Sequence, residues 1–191
     1  IESTVERARG ITHRLLGFAR RMEANRQALH IEEVITETLG FLEREAKNRG
    51  VKFETELPAN LPEIVSDRGQ LQQVFLNIVG NALDALAGGE GATQRPQGEE
   101  RFVKISCQGQ GSYMLVSVED NGKGMSPEVL RHIFEPFYST KKDKGTGLGM
   151  FITYGIVRKL GGEIHVQSEE GRGSIVRITL PLTPPDVAVE V

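Results

Sequence analysis

Two pairs of strand-like segments lie so close together along the chain that only antiparallel pairing can join them. Residues 102–107 precede residues 113–119, and residues 163–168 precede residues 174–180, with only a short connection in each case. A parallel pair needs a crossover of about a dozen residues or more, so both short connections predict hairpins. Helical segments interleave with these strands. We therefore predict an α+β fold, a two-layer α/β sandwich with a mixed, largely antiparallel sheet and helices on one face.

The helices are predicted from apolar side chains at every third or fourth position. This spacing covers residues 31–48, 68–87 and 148–160. Gly50 is placed to stop the first of these helices, and Asp67 to cap the second. The remaining predicted elements are a strand at residues 51–57, a short strand at residues 64–65 and a short helix at residues 127–133.

The N-terminal residues have a pattern of their own. Residues 1–25 step by three and four between apolar positions, which predicts one long helix preceding the sandwich. No matching helix of equal length follows, so the partner of its apolar seam is another chain or a segment absent from this sequence. The last ten residues, with Pro184–Pro185, are predicted to be a frayed tail.

Composition excludes several classes of protein. The 23 Lys and Arg residues against 26 Asp and Glu residues leave a net charge of -3, which is not a nucleic-acid-binding footprint. No run of about 18 apolar residues spans a bilayer, and no secretory leader is visible. A lone cysteine, Cys107, suits the reducing cytoplasm, where we expect the protein to act.

The first chemical pattern lies on the helix at residues 68–87. Asn77, Asn81 and Asp84 share one helical face because they are spaced by four and three residues. Three oxygen-bearing side chains on an otherwise apolar helix can hold a hard cation such as Mg²⁺ beside phosphates. A solvated stripe is the alternative interpretation.

Three further patterns follow along the chain. Asp120 ends a strand and is followed by Gly122 and Gly124, which suits either a site for a ligand amine or a tight turn. The run at residues 134–138 holds three aromatic side chains that can anchor a loop. Residues 145–149 then open a helix with three glycines, and the free N–H groups of a helix start bind anions. The spacing is neither that of a P-loop nor that of a dinucleotide-binding turn.

In this order the four patterns resemble the N, G1, F and G2 boxes of sensor histidine kinases. The wider resemblance is to the ATP-binding fold shared with gyrase, heat-shock chaperone ATPases and mismatch-repair ATPases. It covers about residues 30–182. The resemblance implies three regions: residues 1–29 as the second helix of a dimerisation hairpin, residues 30–183 as a catalytic ATP-binding domain, and residues 184–191 as a flexible tail.

The resemblance also implies roles for individual residues. Asn81 and Asn77 would ligate Mg²⁺, Asp120 would accept from the adenine amino group, and residues 138–147 would form a lid over ATP. Lys141 and Lys144, with Asn77, would assist transfer by neutralising or positioning phosphate charge. The implied nucleotide contacts are Asn77, Asn81, Asp120, Gly122, Gly124, Ile133, Tyr138, Gly145, Thr146, Gly147, Leu148, Gly149 and Ser174. The family often has a basic residue at position 84 and an Arg at position 139, and this chain has Asp84 and Ser139 there.

The implied activity is transfer of the ATP γ-phosphoryl group to a histidine on a dimerisation hairpin, for relay to an aspartate of a response regulator. The full-length protein would be a homodimer through that hairpin. His13 lacks the acidic residue and proline that follow the family's phosphoacceptor, so we expect the acceptor to lie outside this chain. The first residue is Ile, which agrees with a fragment of a longer kinase.

Three alternatives stay open from the residues. An ATPase of the gyrase or chaperone type would use a Glu to activate water, and Asn77 stands where that Glu is expected. A serine kinase of the anti-sigma type has the same four boxes but lacks a long dimerisation helix. A scaffold that binds nucleotide without transferring phosphate is the third.

Overall fold

The structure is a computed structural model that describes residues 25–87, 100–141 and 145–184. Its elements in chain order are β1 (Arg26–Leu29), α1 (Ile31–Asn48), β2 (Val51–Glu56), β3 (Ile64–Asp67), α2 (Arg68–Leu86), β4 (Arg101–Gln110), β5 (Tyr113–Asp120), α3 (Pro127–His132), α4 (Gly149–Lys159), β6 (Glu163–Glu169) and β7 (Gly173–Pro181). The predicted N-terminal helix up to residue 24, the predicted loop at residues 88–99 and residues 185–191 lie outside the described residues.

Five strands form the main sheet, in the order β2–β4–β5–β7–β6. Both predicted hairpins are confirmed, because Gln110 pairs with Tyr113 across β4 and β5, and Glu169 pairs with Gly173 across β6 and β7. β5 and β7 are also antiparallel, whereas β2 and β4 run parallel. The sheet is therefore mixed and largely antiparallel, as predicted.

One face of this sheet is buried and the other is not. In β4 every second side chain, from Val103 through Ile105 to Cys107, is buried, and β5 continues the pattern with Val116 and Val118. Strand side chains alternate between faces, so this period of two marks the face that packs on the helices. α2 packs against both α1 and α4 above that face, and the three helices complete the predicted two-layer sandwich.

The ends of the helices follow their sequence signals. α1 ends at Asn48, and Gly50 adopts a φ of 63°, a left-handed conformation that glycine takes at a helix end without steric cost. α2 begins after Asp67, whose Oδ1 accepts a hydrogen bond from the backbone N–H of Gln70 at 2.8 Å. Such a cap stabilises a helix by about 1 kcal/mol.

A second, two-stranded sheet was not predicted. β1 pairs antiparallel with β3, from Arg26 opposite Asp67 to Leu29 opposite Ile64. The resemblance implied that residues 26–29 belong to the helix before them. Four residues with one buried side chain have no alternation that would indicate a strand. The predicted short strand at residues 64–65 extends through Asp67.

The segment after β7 is tied to both sheets at Leu182. Its N–H donates to the carbonyl oxygen of Ser112 at 2.8 Å, and its carbonyl oxygen accepts from the N–H of Val65 at 2.7 Å. Leu182, the first of the ten residues predicted to be frayed, is therefore held by two backbone hydrogen bonds. Among the described residues, no helix is long and apolar enough to cross a membrane.

Candidate nucleotide-binding site

A cavity of about 510 Å³ lies between α2, the ends of β5 and β7, and the start of α4. Most of the residues predicted for the site line it. These are Asn81, Asp120, Gly124, Ile133, Tyr138, Lys141, Gly145, Thr146, Gly147, Gly149 and Ser174. The structure therefore brings together residues from all four sequence patterns, although they are spread over about half of the chain.

Asp120 provides a buried carboxylate at one end of the cavity. It is the last residue of β5, it is 8% exposed, and it lies opposite Ser174 of β7 in the sheet. Its Oδ1 accepts a hydrogen bond from the backbone N–H of Gly122 at 2.8 Å. This bond orients the carboxylate, so the group can act as a fixed acceptor for a ligand donor.

The two glycines after Asp120 are needed for close packing of the chain. Gly124 has a φ of 64°, and a Cβ at this residue would lie 1.9 Å from the carbonyl oxygen of Glu169. A Cβ at Gly122 would lie 2.7 Å from the Cβ of Ala85 on α2. Gly122 does not line the cavity, so its place in the structure is explained by its packing against α2.

Ser168 on β6 was not identified from the sequence, yet it joins three parts of this end of the cavity. Its Oγ accepts from the N–H of Met125 at 2.8 Å and donates to the carbonyl oxygen of Gly173 at 2.9 Å. Ser174 Oγ lies 2.9 Å away. Because Ser168 has one hydroxyl proton and gives it to Gly173, Ser174 is the donor in the pair of hydroxyls.

The aromatic run at residues 134–138 contributes one aromatic side chain, that of Tyr138, to the lining of the cavity. Tyr138 stacks at 5.3 Å from the ring of His132. Phe137 is 62% exposed and has a φ of 66°, which is uncommon for a residue with a side chain. Its N–H donates to the carbonyl oxygen of Gly147 at 3.0 Å, so the two ends of the predicted lid are joined there.

The glycine-rich segment meets the cavity where α4 begins. Gly147 has a φ of 66°, and a Cβ there would lie 2.4 Å from the carbonyl carbon of Phe137. Leu148 is buried and does not line the cavity with its side chain, although it directly precedes α4. A helix start presents backbone N–H groups and a positive dipole end, so this segment suits an anionic ligand. Lys144 lies outside the described residues.

Asn77 lies beside the cavity and does not line it. Its amide nitrogen lies 3.2 Å from the carbonyl oxygen of Gly149 and 3.2 Å from Thr153 Oγ1, so it donates to α4 from α2. The amide therefore fixes the distance between the two helices that border the site. Its predicted roles toward metal and phosphate stay predictions.

Five charged or polar side chains form a cluster that borders the cavity through Asn81 and Lys141. The Lys141 Nζ donates to Asn81 Oδ1 at 3.1 Å and to Asp84 Oδ2 at 2.5 Å. The Arg49 Nη1 donates to the other oxygen of Asp84 at 2.9 Å, and its Nη2 pairs with Glu45. The Asn81 amide oxygen therefore accepts a hydrogen bond from a cation in this structure.

Asp84 has a lowered pKa in this cluster. Partial burial raises the pKa of the carboxyl, but the hydrogen bonds and charges of Lys141 and Arg49 lower it by more in total. The carboxylate therefore stays ionised. Two cations reach Asp84, Arg49 from the C-terminal end of α1 and Lys141 from the segment after α3.

The apolar part of the cavity was not identified in advance. Its side chains are Ile78, Ala82, Val118, Met150 and Val176. They come from the same elements as the polar site residues, and several share a face with them, as Val118 does with Asp120 two residues later. In the sequence, these apolar residues could have been identified by their spacing, which puts them on the same face of a strand or helix as a polar site residue. Together they form a flat apolar region between the carboxylate end and the cationic end.

Comparison with known proteins agrees with this geometry. Residues 66–184 match the family described as "Histidine kinase-, DNA gyrase B-, and HSP90-like ATPase". Sporulation kinase E of Bacillus subtilis (strain 168) is 34% identical over 95% of this chain and 23% of its own length. Sensor kinase CckA of Brucella abortus (strain 2308) is 33% identical over 95% of this chain and 20% of its own.

A solved structure is similar in fold as well. Full-length ShkA in complex with AMPPNP superposes with a TM-score of 0.72 at 27% identity, over 87% of this chain and 34% of ShkA. The chain spans about a fifth to a third of the length of these three relatives. The family match covers most of the chain and includes the whole of α2, the loop after β5 and the glycine-rich segment. The chain therefore belongs to the histidine kinase-, DNA gyrase B- and HSP90-like ATPase family, in the form of the catalytic ATP-binding domain of a sensor histidine kinase.

Proposed function

We propose that this chain binds ATP with Mg²⁺ and transfers the γ-phosphoryl group to a histidine on a dimerisation hairpin. The observation that carries the proposal is the polarity of the cavity. A buried carboxylate, Asp120, stands at one end, and the start of α4 with Lys141 stands at the other. Adenine carries an amine donor and the triphosphate carries negative charge, so the nucleotide fits the cavity in one direction.

The adenine would lie at the end formed by β5 and β7. Asp120 would accept from the amino group, and Ser174 would offer an acceptor because its proton is directed to Ser168. Ile133 and Tyr138 would contact the base and ribose from the side. The apolar floor would bury the ring faces, and this burial favours binding by about 25 cal/mol for each Å² of apolar surface.

The triphosphate would lie against the glycine-rich segment. Backbone N–H groups at Gly145, Thr146, Gly147, Leu148 and Gly149 would donate to its oxygens. The N-terminal end of α4 adds the favourable dipole. Lys141 would neutralise phosphate charge, and the same role is proposed for Lys144.

Mg²⁺ would bind to Asn81, which accepts an ammonium at its Oδ1 in the described structure. Mg²⁺ prefers oxygen ligands at about 2.1 Å and keeps several waters, so one or two protein oxygens beside the phosphates suffice. When bound, the ion would offset charge on the β- and γ-phosphates. Asn77 would act in this region through its hydrogen bonds to α4. Direct ligation of Mg²⁺ by Asn77 is the alternative.

Transfer of the phosphoryl group requires positioning and charge neutralisation more than covalent help from the protein. The bond between the γ-phosphorus and the bridging oxygen breaks, a P–N bond to the imidazole forms, and ADP leaves with the electron pair. We propose that the imidazole is supplied by the hairpin of the full-length homodimer, and that the phosphoryl group passes on to an aspartate of a response regulator. We place the reaction in the cytoplasm.

The proposal is tested first by nucleotide binding. Calorimetric titration of the chain with ATP and Mg²⁺ should give saturable binding that Asn81→Ala and Asp120→Asn each weaken by roughly tenfold or more. Glu119→Gln is the matched control for Asp120, because Glu119 is the neighbouring residue on the opposite face of β5. Asn48→Ala is the control for Asn81, because Asn48 ends α1 away from the cavity.

Phosphoryl transfer is tested separately. A hairpin that contains the phosphoacceptor histidine is added to the chain together with γ-labelled ATP. Label should appear on the hairpin and be acid-labile, as a phosphorylated imidazole is. Release of free phosphate without labelled hairpin would favour an ATPase, and tight binding without either product would favour a nucleotide-binding scaffold.

A further inference from the structure

The Lys141 ammonium rests on two oxygens of the same helical face. Asn81 and Asp84 are three residues apart on α2, and Lys141 Nζ lies 3.1 Å from the Asn81 amide oxygen and 2.5 Å from the Asp84 carboxylate. Their spacing turns both oxygens toward one point. The two side chains therefore form a site for a cation, and the Lys141 ammonium occupies it in this structure.

This occupant conflicts with the ion that the proposed function requires. Mg²⁺ bound directly to Asn81 Oδ1 would lie about 2.1 Å from that oxygen, so the ion and the ammonium could be no more than about 5 Å apart. Like charges at this distance repel strongly in a partly buried site. Lys141 therefore has to leave Asn81 when Mg²⁺ arrives.

Asp84 is held in place independently of Lys141. Its Oδ1 accepts from Arg49 Nη1 at 2.9 Å, whereas its Oδ2 is the oxygen that faces Lys141. Arg49 is itself fixed at the end of α1 by the Glu45 carboxylate. Departure of the lysine would thus leave a carboxylate oxygen in the same position, beside the oxygen of Asn81.

We propose that Asn81 and Asp84 form a cation-exchange site in which Lys141 is displaced by Mg²⁺ and moves to the triphosphate. Asp84 is then a second protein oxygen for the ion, directly or through a bound water, in addition to Asn81. The proposal rests on the proposed function, because it assigns the metal and the phosphate that Lys141 meets. It explains how an acidic residue at position 84 is compatible with a site for a polyanion.

The test is the dependence of ATP affinity on the concentration of free Mg²⁺. Affinity is measured by calorimetry for the wild type, Lys141→Met, Asp84→Asn and the double variant. Lys141→Met removes the competing ammonium, so the Mg²⁺ concentration at half-maximal affinity should fall about threefold. In EDTA the same variant should bind ATP more weakly than the wild type, because a cation near the phosphates is lost.

The contribution of Asp84 to Mg²⁺ binding is measured in the Lys141→Met background, where the lysine no longer competes with the ion. In the Lys141→Met background, Asp84→Asn should raise the half-maximal Mg²⁺ concentration by roughly tenfold, as loss of an oxygen at or next to a metal does. Asparagine can still accept from Arg49, so the fold is kept, and thermal unfolding of each variant verifies this. Lys104→Met is the matched control, because Lys104 forms a similar ion pair with Glu56 on the sheet, outside the cavity.

The outcomes separate this inference from the proposed function. If Lys141→Met leaves the Mg²⁺ midpoint unchanged or raises it, the displacement is wrong. If Asp84→Asn has no effect in the Lys141→Met background, Asp84 is not part of the metal site. With either result, Mg²⁺-dependent ATP binding by the wild type would still support the proposed function. If the wild type shows no such binding, the proposed function and this inference are both wrong.

Discussion

The amide nitrogen of Asn77 on α2 lies 3.2 Å from the carbonyl oxygen of Gly149, the first residue of α4. The same nitrogen lies 3.2 Å from Thr153 Oγ1, one turn further along α4. One side chain therefore joins the helix that carries Asn81 to the helix that begins at the glycine-rich segment. The distance between the two ends of the proposed phosphate site depends on this contact.

Asn77→Ala should therefore lower the free energy of unfolding by about 1–2 kcal/mol, because two hydrogen bonds between α2 and α4 are lost. Urea denaturation measures the change. Thr153→Val is the companion variant, since it removes one of the two contacts and leaves the bond to Gly149. A change below about 0.5 kcal/mol for Asn77→Ala would mean that the amide does not hold the helices together.

Gly124→Ala should damage the adenine end of the cavity. The added Cβ would lie 1.9 Å from the carbonyl oxygen of Glu169, and the residue has a φ of 64°. Gly111 offers a matched control, because its φ is 61° and no atom lies within 4 Å of the added Cβ. Gly111→Ala should cost about 1 kcal/mol of stability for the left-handed conformation.

Gly124→Ala should cost about 1–3 kcal/mol beyond that, because packing is disturbed as well. It should also weaken ATP binding, which calorimetry detects, whereas Gly111→Ala should leave affinity unchanged. Equal losses of stability in the two variants would show that the loop at Gly124 moves away from Glu169 without difficulty.

Ser168→Ala should be more harmful than Ser174→Ala. Ser168 satisfies the N–H of Met125 and the carbonyl oxygen of Gly173, and its removal leaves two backbone groups without their partner. Leaving such groups unpaired costs about 1–3 kcal/mol of stability. Ser174→Ala removes a single donor to Ser168. Thermal unfolding measures which of the two variants loses more stability. Ser117→Ala, on the opposite face of β5, is the control. The reverse order would contradict the assigned direction of the hydroxyl bonds.

Cys107 should be unreactive in the folded chain. Burial, and to a smaller extent the nearby charge of Glu32, raise the pKa of its thiol to about 12. The thiolate is the reactive form, so alkylation by iodoacetamide at pH 8–9 should be slow and should become fast after denaturation in urea. Mass spectrometry measures the modified fraction with time. Fast alkylation of the native chain would contradict the burial of this side chain.

The same pKa predicts the direction of a stability change at high pH. A thiol whose pKa is raised on folding stabilises the fold below its ordinary pKa of 9.0, and this contribution is lost as the pH rises toward about 12. Cys107→Ala should therefore flatten the decline of the free energy of unfolding between these values. An unchanged slope would show that other groups cause the decline.

The sequence predicted the main sheet well because its evidence is local. The hairpin at Gln110 and Tyr113 is determined by a short connection, and the cap at Asp67 by one side chain and the N–H three residues on. β1 could not be predicted, because its four residues acquire their strand conformation only from pairing with residues of β3, which lie 35 or more positions further along the chain. Local patterns carry no information about such pairing.

The site was predictable in its residue types and less so in its contacts. The resemblance of the four motifs to the family's boxes implied that Asp120 and Asn81 belong to one site, and both residues line the same cavity. The contact of Lys141 with Asp84 was not predictable, because it joins residues 57 positions apart through flexible side chains. Ser168 was missed for a related reason: a serine in a strand has no pattern until its three partners are known.

The position of β1 has a mechanical consequence. The chain enters the described domain at Asn25, whose N–H donates to Asp67 Oδ2 at 2.9 Å, and the following strand pairs with β3. Asp67 is also the cap of α2, the helix that carries Asn81. A force applied at the entry point is thus borne first by the β1–β3 ladder and the start of α2, and the five-stranded sheet is loaded only afterwards. Tension from the preceding segment would therefore reach α2, and with it the proposed Mg²⁺ ligand Asn81, before it reaches the strands that carry Asp120 and Ser174.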